Sequence, residues 1–113
     1  GLKRRPVFVP SVGHFARGMI VSIPLHLDDL NGGVSAEDLH TALATRYAGQ
    51  DKVRVLNAES TLSAEALSGS DGMELRVHGS PRNRQALLTA RLDNLGKGAS
   101  GAALQNIALM LGL

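Results

Sequence analysis

The apolar positions of this chain fall mostly into short alternating runs separated by turn residues, with helical spacing in two places. Across residues 19–27, Met19, Val21, Ile23, Leu25 and Leu27 share one face and Ile20, Ser22, Pro24 and His26 the other, the period of two that predicts a strand. Pro24 has no N–H for a central ladder, so this strand is expected at an edge or a bulge. Ahead of it, the apolar run 6–10 between two prolines predicts a short strand, and 12–18 a loop carrying Gly13, His14, Arg17 and Gly18.

A turn over 28–33 follows, and Ser35 with Asp38 three residues on forms a capping-box pattern that opens a helix over 36–48, with Ala36, Leu39, Leu43 and Tyr47 as its core stripe. Residues 52–56 predict a strand with Val53 and Val55 on one side. The stretch 57–72, rich in Ser, Ala, Gly and acid, lacks periodicity and is expected to be an irregular arm. Residues 73–78 then alternate cleanly, Met73, Leu75 and Val77 against Glu74, Arg76 and His78, and a Pro-containing hairpin loop over 79–83 returns the chain through a strand at 85–92. From 96 to 113, small residues precede Leu104, Ile107, Ala108 and Leu111 at helical spacing.

Strands in hairpin succession with two helices define an α+β fold, a mixed and largely antiparallel sheet with helices on one face; the βαβ alternation of a cofactor domain is missing. The other face of such a sheet needs solvent-tolerant residues or a partner, and a dimer interface is the natural candidate.

Composition narrows the class. With 113 residues, 43% hydrophobic and 19% charged, the chain suits one globular domain whose interior is aliphatic, since Phe8, Phe15 and Tyr47 are its aromatics. The net charge of +2 is local: without Lys3, Arg4 and Arg5, nine basic residues face ten acidic ones, which argues against nucleic acid. No apolar run reaches membrane-spanning length and no signal-peptide pattern opens the chain, so a soluble, cytoplasmic protein is expected. The absence of cysteine excludes disulfides and thiolate chemistry within these residues. Gly1 in place of Met, leading straight into an apolar run, suggests a fragment.

Candidate chemistry centres on residues 93–106, DNLGKGASGAALQN. Gly98 and Gly101 permit close backbone approach, the N–H groups of a helix start attract phosphate or carboxylate, and Lys97 adds a positive charge beside the Asn94 carboxamide. A plain packing role for Gly98, Ala99, Gly101 and Ala102 accounts for the same spacing equally well. Arg17 presents a fork suited to an anionic substrate, against the alternative of a structural arginine. His14, His26, His40 and His78 show no ligand spacing, so no metal site is expected; the last three read as solvent-facing, and His14 as an acid or base lacks an accompanying nucleophile. The serines lack a nucleophile elbow.

Four blocks together resemble the N-acetyl-gamma-glutamyl-phosphate reductase family: Phe8-Val9-Pro10 with Arg17-Gly18-Met19, the helix entry 34–39, the strand 52–56, and above all 93–112. The Asp-Asn-Leu-x-Lys-Gly-Ala run followed by Gln-Asn is shared with the related aspartate-semialdehyde dehydrogenases, and the Arg17-Gly18-Met19 block favours the former. Where that family commonly has Pro-His-Leu, this chain has Pro10-Ser11-Val12, and the arm 57–72 matches poorly. The resemblance implies a two-domain NADP-dependent enzyme of arginine biosynthesis. An N-terminal Rossmann domain would precede a C-terminal α+β domain like that of glyceraldehyde-3-phosphate dehydrogenase, and this chain would be most of the second.

The same resemblance implies that a cysteine attacks an acyl phosphate to give a thioester, that a histidine serves as acid and base, and that NADPH supplies hydride. Both catalytic residues would lie upstream of this segment, leaving the fragment inactive alone. It places Asn94, Lys97 and Gly98 beside the cofactor and Arg17 on the substrate side. It divides the chain into a substrate and dimerisation part over 1–95 and a helix over 96–113 that packs on the N-terminal domain of a homo-oligomer. The alternatives are a relative acting on aspartyl or N-acetyl-aminoadipyl phosphate, and a noncatalytic association module.

Overall fold

A hairpin organises the structure, a computed structural model that describes residues 5–113. Strand β3 (Met73–Ser80) runs antiparallel to β4 (Gln85–Leu92) from the pair Met73 and Leu92 to the pair Ser80 and Gln85. A 3-10 turn, Pro81–Asn83, joins them and ends on Arg84 in the left-handed region at φ 50°. Strand β1 (Met19–His26) pairs antiparallel with the other side of β4, and the short β2 (Val53–Val55) runs parallel to β3, giving the order β1-β4-β3-β2. Pro24 thus stands in an edge strand, where a missing donor breaks no central ladder.

Helix α1 (Ala36–Arg46) begins at Ser35, whose hydroxyl accepts from the Asp38 N–H at 3.1 Å while the Asp38 carboxylate accepts from the Ser35 N–H at 2.8 Å. These two bonds satisfy donors that a helix start otherwise leaves open. Replacing Ser35 by alanine should lower stability by about 1 kcal/mol, read from the urea midpoint; an unchanged midpoint would show that the box does not hold the helix start. Ala36, Leu39 and Leu43 then pack on a small buried core of Leu27, Val77 and Ala86. The approach is close enough that a Cβ on Gly79 would lie 2.7 Å from the Ala36 Cβ, so β3 needs glycine under the first turn of α1.

Three features depart from the sequence reading. Residues 6–10 form no strand: they run without regular structure, with Val7 and Phe8 90% and 87% exposed. The polar set of β3, which alternation ordinarily turns to solvent, is buried at Glu74 and Arg76 because the arm 57–72 folds over that face of the sheet. The closing helix divides into a π-helical turn, Gly96–Ser100, and α2 (Gly101–Leu111), which packs chiefly on that turn and leaves Leu104, Ile107 and Leu111 exposed. The class is α+β as expected, with α1 covering the apolar face over β2 and β3 and leaving Val21 and Ile23 of β1 partly open.

Candidate functional site

The register of the edge strand builds the site. Met19, the first residue of β1, stands opposite Leu92, the last of β4, so Arg17-Gly18 on one chain segment lies alongside Asp93-Asn94 on the other. The Arg17 Nη2 donates to Asp93 Oδ2 at 2.9 Å and the Gly18 N–H donates to Asn94 Oδ1 at 2.8 Å. Two adjacent residues therefore grip two adjacent residues. Because Asn94 spends its oxygen on Gly18, its amide nitrogen is left to donate elsewhere.

Asp93 is wholly buried and its carboxylate is held on both oxygens, by the Gly69 N–H at 2.6 Å on Oδ2 and the Leu95 N–H at 2.9 Å on Oδ1. The arm joins the same cluster: Ser68 Oγ donates to the Arg17 carbonyl at 3.1 Å, and Ala64 O presses against Gly18. Gly18 sits at φ +121°, and a Cβ there would lie 2.3 Å from that carbonyl, so the residue is required both by its backbone angle and by the contact. An open hollow of about 560 Å³ beside this clamp is lined by Gly13, Phe15, Ala16, Gly18, Ala64 and Asn94. A larger hollow of about 760 Å³ lies toward the other ends of β1 and β4, around Pro24, His26, His78 and Leu87, away from the clamp.

The remaining motif residues are placed as follows. Lys97 Nζ donates to the Gln105 side-chain oxygen eight residues further on, and Gly98 is exposed on the π-helical turn. Three N–H groups of that turn are not free for an anion: Gly98 donates to Asp93 O at 2.9 Å, Ser100 to Leu95 O at 3.3 Å and Gly101 to Gly96 O. The glycines pack closely, since a Cβ on Gly96 would lie 2.5 Å from Ser70 O and one on Gly98 3.2 Å from Leu92 Cδ1. The structure thus brings Arg17 and Asn94 into one cluster and sets Lys97 and Gly98 on the adjoining turn. His14 lies exposed in the loop before Arg17, His26 is exposed, and His40 and His78 are half-buried, the latter 3.2 Å from Thr89 Oγ1, rather than solvent-facing.

Behind the clamp, Glu74 on β3 binds Arg54, Arg76 and Arg91, and Arg76 also reaches Glu59 of the arm at 2.8 Å. Burial pushes the Glu74 carboxyl upward, but hydrogen bonds and charge from Arg91 and Arg76 outweigh it and hold the group below its ordinary 4.5. The Gly69 and Leu95 N–H groups, with smaller help from Gly96 and Arg17, hold Asp93 below 3.8. Both carboxyls bind protons more weakly folded than unfolded, so their stabilisation is complete above the unfolded values and fades as pH falls through the folded ones. Stability should therefore drop on acidification below about pH 4, and a urea midpoint unchanged between pH 5 and pH 3 would contradict this.

Sequence reasoning read 57–72 as an irregular arm but not its place at the site, and it missed Asp93 and the buried arginine cluster. An Asx residue directly after a strand, able to accept from the N–H two residues on, was the available signal for Asp93. Among the described residues no group of three His, Asp or Glu is placed to hold a metal ion, and no helix is long and apolar enough to cross a membrane.

The fold and this cluster define a recognisable class: the chain belongs to the semialdehyde dehydrogenase dimerisation-domain family, whose model matches residues 1–94. Within it, the chain is 55% identical over 97% of its length to a protein of Rhizobium etli named N-acetyl-gamma-glutamyl-phosphate reductase. It is 56% identical, again over 97%, to one of the same name from Rhizobium johnstonii, and 53% identical over 98% to one from Brucella ovis. The chain spans 37% of the length of each of these relatives.

Proposed function

We propose that this chain is the substrate-side and association domain of an NADP-dependent N-acetyl-gamma-glutamyl-phosphate reductase. The observation that carries this reading is the match of nearly the whole chain, clamp and glycine turn included, to relatives bearing that name. In the full-length protein a cysteine outside these residues forms a thioester from the acyl phosphate, releasing phosphate, and NADPH supplies the hydride that frees the semialdehyde. Arg17 faces the anionic substrate, with its side chain partly open to solvent. The Asn94 amide nitrogen and the Lys97 ammonium are the donors available to the nucleotide, and they fit an acceptor-rich ligand such as a carboxamide or phosphate; Gly98, whose N–H is spent on Asp93 O, lies beside the nucleotide as an exposed backbone surface that permits close approach.

Residues 1–95 serve the substrate site and subunit association, in a homo-oligomer as the family description suggests. The apolar stripe of α2, open here, packs on an N-terminal Rossmann domain. A cytoplasmic location accords with such a biosynthetic enzyme. The test is NADP reduction by the full-length protein supplied with N-acetyl-glutamate semialdehyde and phosphate. Turnover should require phosphate and exceed that with aspartate semialdehyde by at least an order of magnitude; the reverse preference would assign the chain to the aspartyl branch instead.

A further inference from the structure

We infer that Asp93 is a positioning residue that fixes Arg17 and Asn94 as one unit, so that the substrate-side cation and the nucleotide-side amide are preorganised together. The inference rests on the proposed reductase reading, and it assigns a role to a residue that touches neither ligand. Its basis is the order of constraint. The Asp93 carboxylate cannot turn, because Gly69 N–H and Leu95 N–H hold one oxygen each at 2.6 and 2.9 Å and the side chain is fully buried. Arg17 is anchored on that fixed group through Nη2 at 2.9 Å, and its Nε is buried with no acceptor among the described residues. Asp93 is thus what sets the guanidinium plane, with the side chain 42% exposed for a ligand.

Asn94 follows in the chain, and the Leu95 N–H bond to Asp93 Oδ1 fixes the backbone on which it is carried. Its amide oxygen then receives the N–H of Gly18, the neighbour of Arg17, so a shift of either segment moves both donors. The arm completes the unit from a third side through Ser68 Oγ on the Arg17 carbonyl and Gly69 on Asp93. Holding binding groups in place before a ligand arrives removes an ordering cost from binding, and such groups respond to mutation as a unit.

The experiment uses the full-length protein with Asp93→Asn, Arg17→Lys and the double variant, measured for KM and kcat with the semialdehyde and for backbone amide exchange. Asp93→Asn keeps the shape of the side chain and removes its charge. Each single variant should raise KM at least tenfold with kcat changed less than threefold, and the double variant should lie within about twofold of the worse single. In Asp93→Asn the Gly18 amide should exchange at least ten times faster while amides of β3 keep their protection.

A KM within twofold of wild type, or single effects that multiply in the double variant, would overturn the inference. A loss that appears in kcat and melting temperature but not in KM would do the same, since that is what a merely structural Asp93 gives. Should Asp93→Asn fail to fold, Arg17→Lys decides: its ammonium keeps the charge but cannot span Asp93 and a ligand together, so a KM within twofold of wild type overturns the proposal. Absence of wild-type turnover removes the reductase reading and this inference with it, whereas unchanged kinetics of both variants beside an active wild type removes this inference alone.

Discussion

Glu74→Gln should cost about 3–5 kcal/mol of stability, the range for stranding a buried charge, a large share of the about 5–15 kcal/mol that holds a domain folded. The carboxylate accepts from Arg54 at 2.8 Å, from Arg76 at 3.0 Å and from Arg91 through both its Nε and Nη2. Without that charge, Arg91 is left with a long 3.4 Å bond to Ser63 O, and the fully buried Arg76 with the half-exposed Glu59. The penalty lies in the uncompensated cations rather than in the lost bonds themselves. A triple variant with Glu74, Arg76 and Arg91 replaced by Leu, Met and Leu should therefore recover most of it, because the charges that remain, Arg54 and Glu59, are more than half exposed and no buried one is left. Urea denaturation reads both; a loss below about 1 kcal/mol in Glu74→Gln would mean that the cluster behaves as a surface ion pair.

Gly18→Ala is expected to be the next most damaging change, for two separable reasons. The backbone angle of +121° costs a residue with a Cβ about 1–3 kcal/mol. The new Cβ would also lie 2.3 Å from Ala64 O and 2.7 Å from Ala64 C, backbone atoms that cannot rotate away, so the arm must lift. Lifting it removes Gly69 from Asp93 and Ser68 from Arg17, and the Gly18 N–H leaves Asn94. Gly32→Ala is the control, since that residue also has positive φ, +85°, but nothing within 4 Å of a Cβ. Denaturation should show a larger loss for Gly18→Ala than for Gly32→Ala, with faster exchange at Gly69 only in the former; equal losses would show that the arm does not press on the loop.

Much of the fold was legible because period and capping agree with it. The alternation of Met19, Val21, Ile23 and Leu25 gave β1, Pro24 gave its edge position, and Ser35 with Asp38 gave the start of α1. The strand expected at 6–10 failed because apolarity alone supplies no hydrogen-bond partner, and within the described chain no neighbouring strand takes up that run. The burial of Glu74 and Arg76 was hidden for the opposite reason: a period of two says that faces differ, and only the non-local arm decides that the polar face is covered.

At the site, Arg17 and Asn94 were legible as chemistry but not as neighbours. They stand 77 positions apart in sequence, and what joins them is the pairing of Met19 with Leu92 together with the carboxylate of Asp93, a residue that sequence spacing marks only as the opening of a motif.

The central claim is that these residues shape and hold a site whose thiol lies elsewhere in the polypeptide. Trapping the acyl-enzyme of the full-length protein with the semialdehyde and NADP in the absence of phosphate, and mapping the adduct by mass spectrometry, tests it most directly. The account predicts a thioester on a cysteine outside these 113 residues, which contain none; an acyl group on Ser100, Lys97, His14 or any other residue of this chain would contradict it.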